Sequence, residues 1–319
     1  METMFSPTAP SRLYALLLKL RPLQPGTLMP FSGELVHGAF LRWLASTAPD
    51  VATWLHEGQK RRLFTCSSLH FSQPMQPHLK AEQQNIHLPL DPQKTYTIRL
   101  TLLLGDLFPL FYNALMQFNT PQSNATIPPF LRLGKQLFLL EEVQLSNDDP
   151  SGWTGFTSLS TLVEQARSVQ CSKTTTLTLD FASLTTFSRN NTKTGYGLHA
   201  VMLPLPQFVF ANLLRRWEDI APPELSQIVQ KEYMERYLQE DGAIIIDYNL
   251  QAHHVHFTTH LQRGFVGTCT YQLRGCHEKS DAEVPLTIGQ QMHLLAYLAF
   301  YSGVGYKTAT GLGQARLKS

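Results

Sequence analysis

Between Gly303 and Leu317 the chain reads GVGYKTATGLGQARL. Gly303, Gly305, Gly311 and Gly313 let other atoms come close to the backbone. Lys307 adds a positive charge, Thr308 and Thr310 add hydroxyls, and Tyr306 adds an aromatic face. The set suits a bulky anionic partner, because glycine admits close approach and exposed N–H groups then bind phosphate. Two nucleotide loops are excluded by context. A P-loop needs Lys followed by Ser or Thr directly after its second glycine, whereas Lys307-Thr308 follows Gly305-Tyr306. A dinucleotide fingerprint, GxGxxG, leads from a strand into a helix. Here the spacing is GxGxxxxxGxG, the loop follows an apolar helix, and only a short segment comes after it. A left-handed helix cap accounts for Gly303 but not for Gly311 and Gly313.

Histidine is the side chain best suited to proton transfer near neutral pH, and the chain has twelve. His37 lies within ELVHGAFLRWLA (34–45), whose spacing predicts a helix with Val36, Ala39, Phe40 and Trp43 on one face. At about 100° per residue His37 falls at the edge of that face, where a side chain looks into a cleft while the helix stays packed. A partly buried, hydrogen-bonded histidine is the plainer reading of the position. HHVHFTTH (253–260) has the look of a metal cluster, since His254, His256 and His260 share a strand face by period two. No Cys, Asp or Glu joins them locally, so they read as structural histidines and no metal is expected.

The elements that must position these residues follow a simple order. RLYALLLKLRP (12–22) reads as a buried strand, and a Pro/Gly-rich loop leads to the 34–45 helix with Ser32 as its N-cap. RLFTCSSLHFS (62–72) and TYTIRLTLLL (95–104) read as strands, LFPLFYNALMQF (107–118) as a helix, and KQLFLLEEVQL (135–145) as a strand. Polar, Gly/Ser-rich SNDDPSGWTGFTSLS (146–160) marks a linker. TTTLTLDFASL (174–184) reads as a strand, and PQFVFANLLRRWEDI (206–220) and ELSQIVQKEYMERYL (224–238) as helices. AIIIDYNL, HHVHFTTHLQ and GFVGTCTYQLRG read as three strands, QQMHLLAYLAFYS (290–302) as a helix, and GQARLK as a closing strand. The first half is a βαββαβ layout, and the second repeats a βα..ββαβ order with an extra helix. The expected fold is α+β, with two ferredoxin-like domains in tandem: 1–148, a linker 149–172, and 173–319.

Composition agrees with a long globular chain of two cores: 319 residues, 43% hydrophobic and 16% charged. A net charge of +2 excludes a global electrostatic footprint for nucleic acid, so any such site is local. Both ends are locally basic: no carboxylate follows Glu283, and only Glu2 precedes Glu34. Four scattered cysteines and a start without a charged n-region and apolar core lead to the expectation of a reduced, soluble, cytoplasmic protein. The most apolar run, LTLLLGDLFPLFYNALM, is broken by Asp106, Pro109 and Asn113 and reads as strand plus helix rather than a membrane span.

The glycine loop after its apolar helix resembles that of the repeat-associated RNA-binding (RAMP) superfamily of CRISPR systems. LDFASLTTFSR (179–189), LPLPQFVFANLLRRWE (203–218) and QRGFVGTCTYQL (262–273) are similar to segments of that superfamily's endoribonuclease, which cuts precursor CRISPR transcripts into guide RNAs. The resemblance covers about 179–319 strongly, and the first half by element order and one histidine. It implies tandem ferredoxin-like domains, RNA cleavage without cofactor or metal, and a 2′,3′-cyclic phosphate product. His37 stands at the family's catalytic position, so the resemblance implies proton transfer there. Arg42, the only cation in that helix, is the candidate charge stabiliser, with a solvated helix face as its competing account. The implied RNA-binding set is Gly303, Gly305, Tyr306, Lys307, Thr308, Gly311 and Gly313. Arg189 and Lys193, in the polar loop FSRNNTKTGYGLH, join it or are merely exposed. The implied partners are CRISPR repeat RNA and subunits of a CRISPR effector complex, with the chain a monomer or homodimer. The alternative is a non-catalytic RNA-binding subunit of such a complex.

Overall fold

A computed structural model describes residues 12–57, 63–71, 73–119, 130–191, 197–278 and 285–318. The chain forms two compact units. One takes the chain up to Phe156 together with Val255–Gln262 and Thr308–Gly311. The other takes Thr157–His254, Arg263–Lys307 and the chain from Leu312. Two short segments from late in the sequence thus belong to the first unit.

In chain order the first unit contains β1 (Arg12–Pro22), β2 (Gly26–Leu28), α1 (Gly33–Thr47), α2 (Pro49–Glu57), β3 (Phe64–Cys66) and α3 (Leu79–Gln84). It continues with β4 (Leu88–Leu90), β5 (Tyr96–Leu102), α4 (Leu107–Asn119), β6 (Phe130–Leu133) and β7 (Gln136–Gln144). Its main sheet runs β3-β5-β1-β7-β6, and β2 and β4 pair separately. Leu13 to Leu18 are all buried, which is why β1 reads as an unbroken apolar run: it is the central strand, antiparallel to β5 and β7. Phe40 and Trp43 of α1 meet Phe111 of α4, and Phe40 also meets Phe64 of β3 at 4.6 Å between ring centres. These rings form the centre of the core and set the rotation of α1.

The second unit begins with β8 (Gly155–Ser158, which starts in the first), α5 (Leu159–Arg167), β9 (Thr174–Thr185), β10 (Phe187–Asn191) and β11 (Gly197–Val201). It continues with α6 (Pro206–Ile220), α7 (Pro223–Ser226), α8 (Lys231–Gln239), β12 (Ala243–His256), β13 (Leu261–Arg274), α9 (Ile288–Ser302) and β14 (Ala315–Lys318). Its four-stranded sheet runs β12-β13-β9-β14. With β1, β3, β5 and β7 as strands one to four the first sheet has the order 2-3-1-4, extended at its edge by β6, and β9, β12, β13 and β14 give the same order in the second, the antiparallel ferredoxin-like arrangement. Trp217 of α6 and Phe181 of β9 are fully buried, and Phe181 packs edge-on against Phe265. α9 starts with a capping box made by Thr287 and Gln290.

Several sequence expectations need correction. The 149–172 stretch is not a plain linker: it carries β8 and α5, and Leu159, Leu162, Val163 and Ala166 are buried at helical spacing. Ser158 caps that helix by accepting from the Thr161 N–H at 3.0 Å. Of the 62–72 strand, Arg62 and Ser72 lie outside the described residues; the strand is Phe64–Cys66, and the Ser67 hydroxyl beyond it accepts the Arg99 N–H at 2.8 Å. The 224–238 helix is two helices, and the Gln230 N–H between them donates to the Gln291 side chain at 3.2 Å. AIIIDYNL and HHVH belong to one strand, β12, so the three expected strands are two. Gly267 in β13, at φ +119°, lets the Asn249 carbonyl pass where any Cβ would sit 2.1 Å from its oxygen. Ser32 precedes α1, but its hydroxyl accepts the Leu69 N–H at 2.9 Å and makes no cap bond.

Among the described residues no helix is long and apolar enough to cross a membrane.

Candidate active site

His37 projects from the first turns of α1, and its side chain is half-buried. Phe64 of β3, itself fully buried, stacks on its ring at 5.4 Å and 21°. The Nδ1 atom lies 2.9 Å from the carbonyl oxygen of Ala309. A carbonyl only accepts, so Nδ1 carries the proton, and in the neutral ring Nε2 is the basic nitrogen. The histidine is thus oriented by a stacked ring on one side and a backbone acceptor on the other.

Ala309 sits in a single 3₁₀ turn, Thr308–Thr310, inside the glycine loop. That turn belongs to the same unit as His37 and packs on the start of α1. At Gly33, a Cβ would stand 2.1 Å from the Thr310 oxygen and 2.8 Å from the Gly311 Cα. Gly33 is four residues before His37, on the same helix face. The Ala309 oxygen also accepts the Cys66 thiol at 2.9 Å. Burial pushes that thiol far above its usual range, against an opposing bond from the Gly311 backbone, so Cys66 stays protonated and remains a donor.

The tip of the β12–β13 hairpin belongs to this unit too. The backbone N–H and hydroxyl of Thr258 both donate to Glu34 Oε2, at 2.9 and 2.8 Å, and Phe257 packs on Phe31. Glu34, one turn before His37, is thereby committed to holding the hairpin tip.

The other predicted residues are distributed as follows. Arg42 folds back along α1, so that one guanidinium nitrogen comes 3.4 Å from where a Cβ on Gly38 would stand. Five residues on from His37, it lies about 140° around the helix, and its guanidinium donates to the Arg132 carbonyl at 3.0 Å. The loop's backbone is used differently from expectation. The N–H groups of Gly303, Val304, Tyr306 and Gly313 bond to the carbonyls of Ala299, Gly313, Thr186 and Leu184, and that of Gly305 to Asn212 Oδ1. Gly305, at φ +92°, is needed because a Cβ there would stand 2.5 Å from the Thr186 oxygen. The glycines serve close packing within the protein, and Gly303, Gly305, Gly311 and Gly313 are all buried. Thr308 is buried as well. What the loop presents outward is Tyr306, exposed, with the Lys307 ammonium 5.6 Å from its ring centre. Lys307 holds the left-handed conformation, φ 57°, a strain usually kept for a reason. Arg189 is exposed on β10, and Lys193 lies outside the described residues.

Of the 253–260 histidines, His253 and His254 lie with their rings stacked at 6.4 Å. His253 is buried, His256 Nε2 donates to the Gln83 carbonyl at 3.1 Å, and His260 stacks on Phe257. Among the described residues no three His, Cys, Asp or Glu side chains are grouped to hold a metal ion. Ala309, Cys66 and Phe64 escaped the sequence reading. A backbone acceptor leaves no mark on residue type, and the one available signal was a glycine a helical turn before His37.

The architecture has solved counterparts. Thermus thermophilus Cas6 (TTHB231), in a product complex, is 23% identical with a TM-score of 0.71, over 96% of this chain and all of its own. A Cas6 (TTHA0078) product complex is 23% identical with a TM-score of 0.65, over 97% of this chain and all of its own. A RAMP protein binding different RNA substrates follows at 13% and 0.54, over 96% of this chain. No curated protein sequence matches. The family models are decisive: that of the CRISPR Cas6 N-terminal domain matches 12–164, and that of the CRISPR-associated endoribonuclease Cas6 matches 179–315. The chain belongs to the Cas6 family of endoribonucleases, which process CRISPR repeat transcripts.

Proposed function

We propose that this chain binds a hairpin of CRISPR repeat RNA and cuts it without metal, using the RNA's own 2′-hydroxyl as nucleophile and His37 as the proton-transfer group. The observation that supports this reading is the bond from His37 Nδ1 to the Ala309 oxygen, which favours the tautomer whose Nε2 is basic. In this scheme Nε2 takes the 2′-hydroxyl proton. The 2′-oxygen bonds to phosphorus, the bond to the 5′-oxygen breaks, and that oxygen gains a proton. The products are a 2′,3′-cyclic phosphate and a 5′-hydroxyl. Tyr306 offers a stacking surface for an unpaired base and Lys307 a charge for a phosphate. Product complexes of similar proteins support RNA as the ligand. Arg189 and Lys193 extend the RNA contact, CRISPR effector subunits are further partners, and the cytoplasm is the place of action.

A repeat hairpin with a single deoxynucleotide on the 5′ side of the cut tests the scheme. It is bound as tightly as the all-RNA hairpin and is not cut. Cleavage of the deoxy substrate at the normal rate overturns 2′-hydroxyl attack. Binding of the all-RNA hairpin without cleavage favours a guide-holding subunit.

A further inference from the structure

We infer that the Thr308–Gly311 turn is a positioning device for catalysis, with the Ala309 carbonyl setting the tautomer of His37. The inference rests on the reading of His37 as the proton-transfer group. It adds that a segment near the end of the chain makes that histidine competent.

Three observations converge on the turn. The Ala309 oxygen accepts from two side chains of different elements: His37 Nδ1 of α1 at 2.9 Å and Cys66 Sγ of β3 at 2.9 Å. The turn can come this near only because α1 starts with glycine. A methyl at Gly33 would stand 2.1 Å from the Thr310 oxygen and 2.6 Å from its carbonyl carbon, both backbone atoms that cannot swing aside. Gly311, at φ +99°, closes the turn where a Cβ would be 3.0 Å from Gly33 Cα and 3.2 Å from the Phe31 ring. Two glycines far apart in sequence are thus back to back, and the carbonyl between them faces the imidazole.

The chemical consequence concerns one proton. A neutral imidazole carries its proton on either nitrogen, and only the Nδ1–H form presents Nε2 as a base. Without a fixed acceptor the ring populates both forms and rotates. The Ala309 carbonyl holds the useful form before RNA arrives, and Cys66 holds the carbonyl.

The test uses the full chain, ¹⁵N-labelled at histidine, and a cognate repeat hairpin under single-turnover conditions. Wild type should show Nδ1–H for neutral His37. Gly33→Ala should lose that signature and cut about 10- to 100-fold more slowly, with RNA affinity changed less than about 3-fold. Cys66→Ala should slow cleavage by about 3- to 10-fold, and Cys66→Ser, which keeps a donor, should restore it. If Gly33→Ala does not fold, the two Cys66 variants carry the test. Nδ1–H and a wild-type rate in folded Gly33→Ala would overturn the inference. So would equal wild-type rates in both Cys66 variants where Gly33→Ala is unfolded. His37→Ala separates the two readings. If it cuts normally, the assignment of His37 fails. If it is inactive while Gly33→Ala is normal, only the positioning role fails.

Discussion

At His37 one ring nitrogen, Nδ1, faces a backbone oxygen 2.9 Å away, which makes the two nitrogens of the ring unequal. His70 shows the opposite use of the same side chain. Burial pushes its imidazole down to about 4, against a bond to the Gln76 backbone and with the charge of His78 adding to the fall. The unfolded value is near 6.5, so the unfolded chain binds the proton first as pH drops. The stability tied to neutral His70 is complete above pH 6.5 and is lost as pH falls through 4. Wild type should lose about 2 kcal/mol from this group between pH 7 and pH 5. Urea unfolding at the two pH values checks this, and His70→Asn should show a correspondingly smaller loss. In the sequence His37 was legible as a helix-edge histidine at a family position. The bond that orients its ring was not legible, because a backbone acceptor leaves no mark on residue type.

Among the elements, the glycine loop gives the clearest prediction. Gly305→Ala meets a left-handed backbone and the Thr186 carbonyl at once, and should cost about 2–4 kcal/mol in chemical denaturation. An RNA-facing glycine would instead tolerate alanine in the free protein and fail on binding. On α6, Trp217 is fully buried and its Nε1–H has no partner among the described residues. Trp217→Ala should cost about 3–5 kcal/mol, whereas Trp217→Phe, which removes the orphan donor, should cost less than about 1.5 kcal/mol. Apolar periodicity made α1, α6, α9 and β1 legible, because each buries a face that repeats in sequence. The split at Gln230 was not, since it goes with a polar bond to Gln291, far along the chain.

For the molecule as a whole, a net charge of +2 means that RNA affinity comes from a few local cations and not from a global field. Lys307→Ala should weaken repeat binding and lower the slope of log Kd against log salt by about one phosphate's worth. An unchanged slope would remove Lys307 from the interface. The tandem ferredoxin-like plan was readable from element order in both halves. The placement of Val255–Gln262 and Thr308–Gly311 with the first unit was not, because such returns of the chain carry no local pattern. The most direct test of the central claim is single-turnover cleavage of a repeat hairpin from the same genome, in chelator, by wild type and His37→Ala. The expected result is cleavage by wild type alone, leaving a 2′,3′-cyclic phosphate, with RNA affinity intact in the variant. Equal cleavage by both proteins, or cleavage that stops with chelator, would contradict the account.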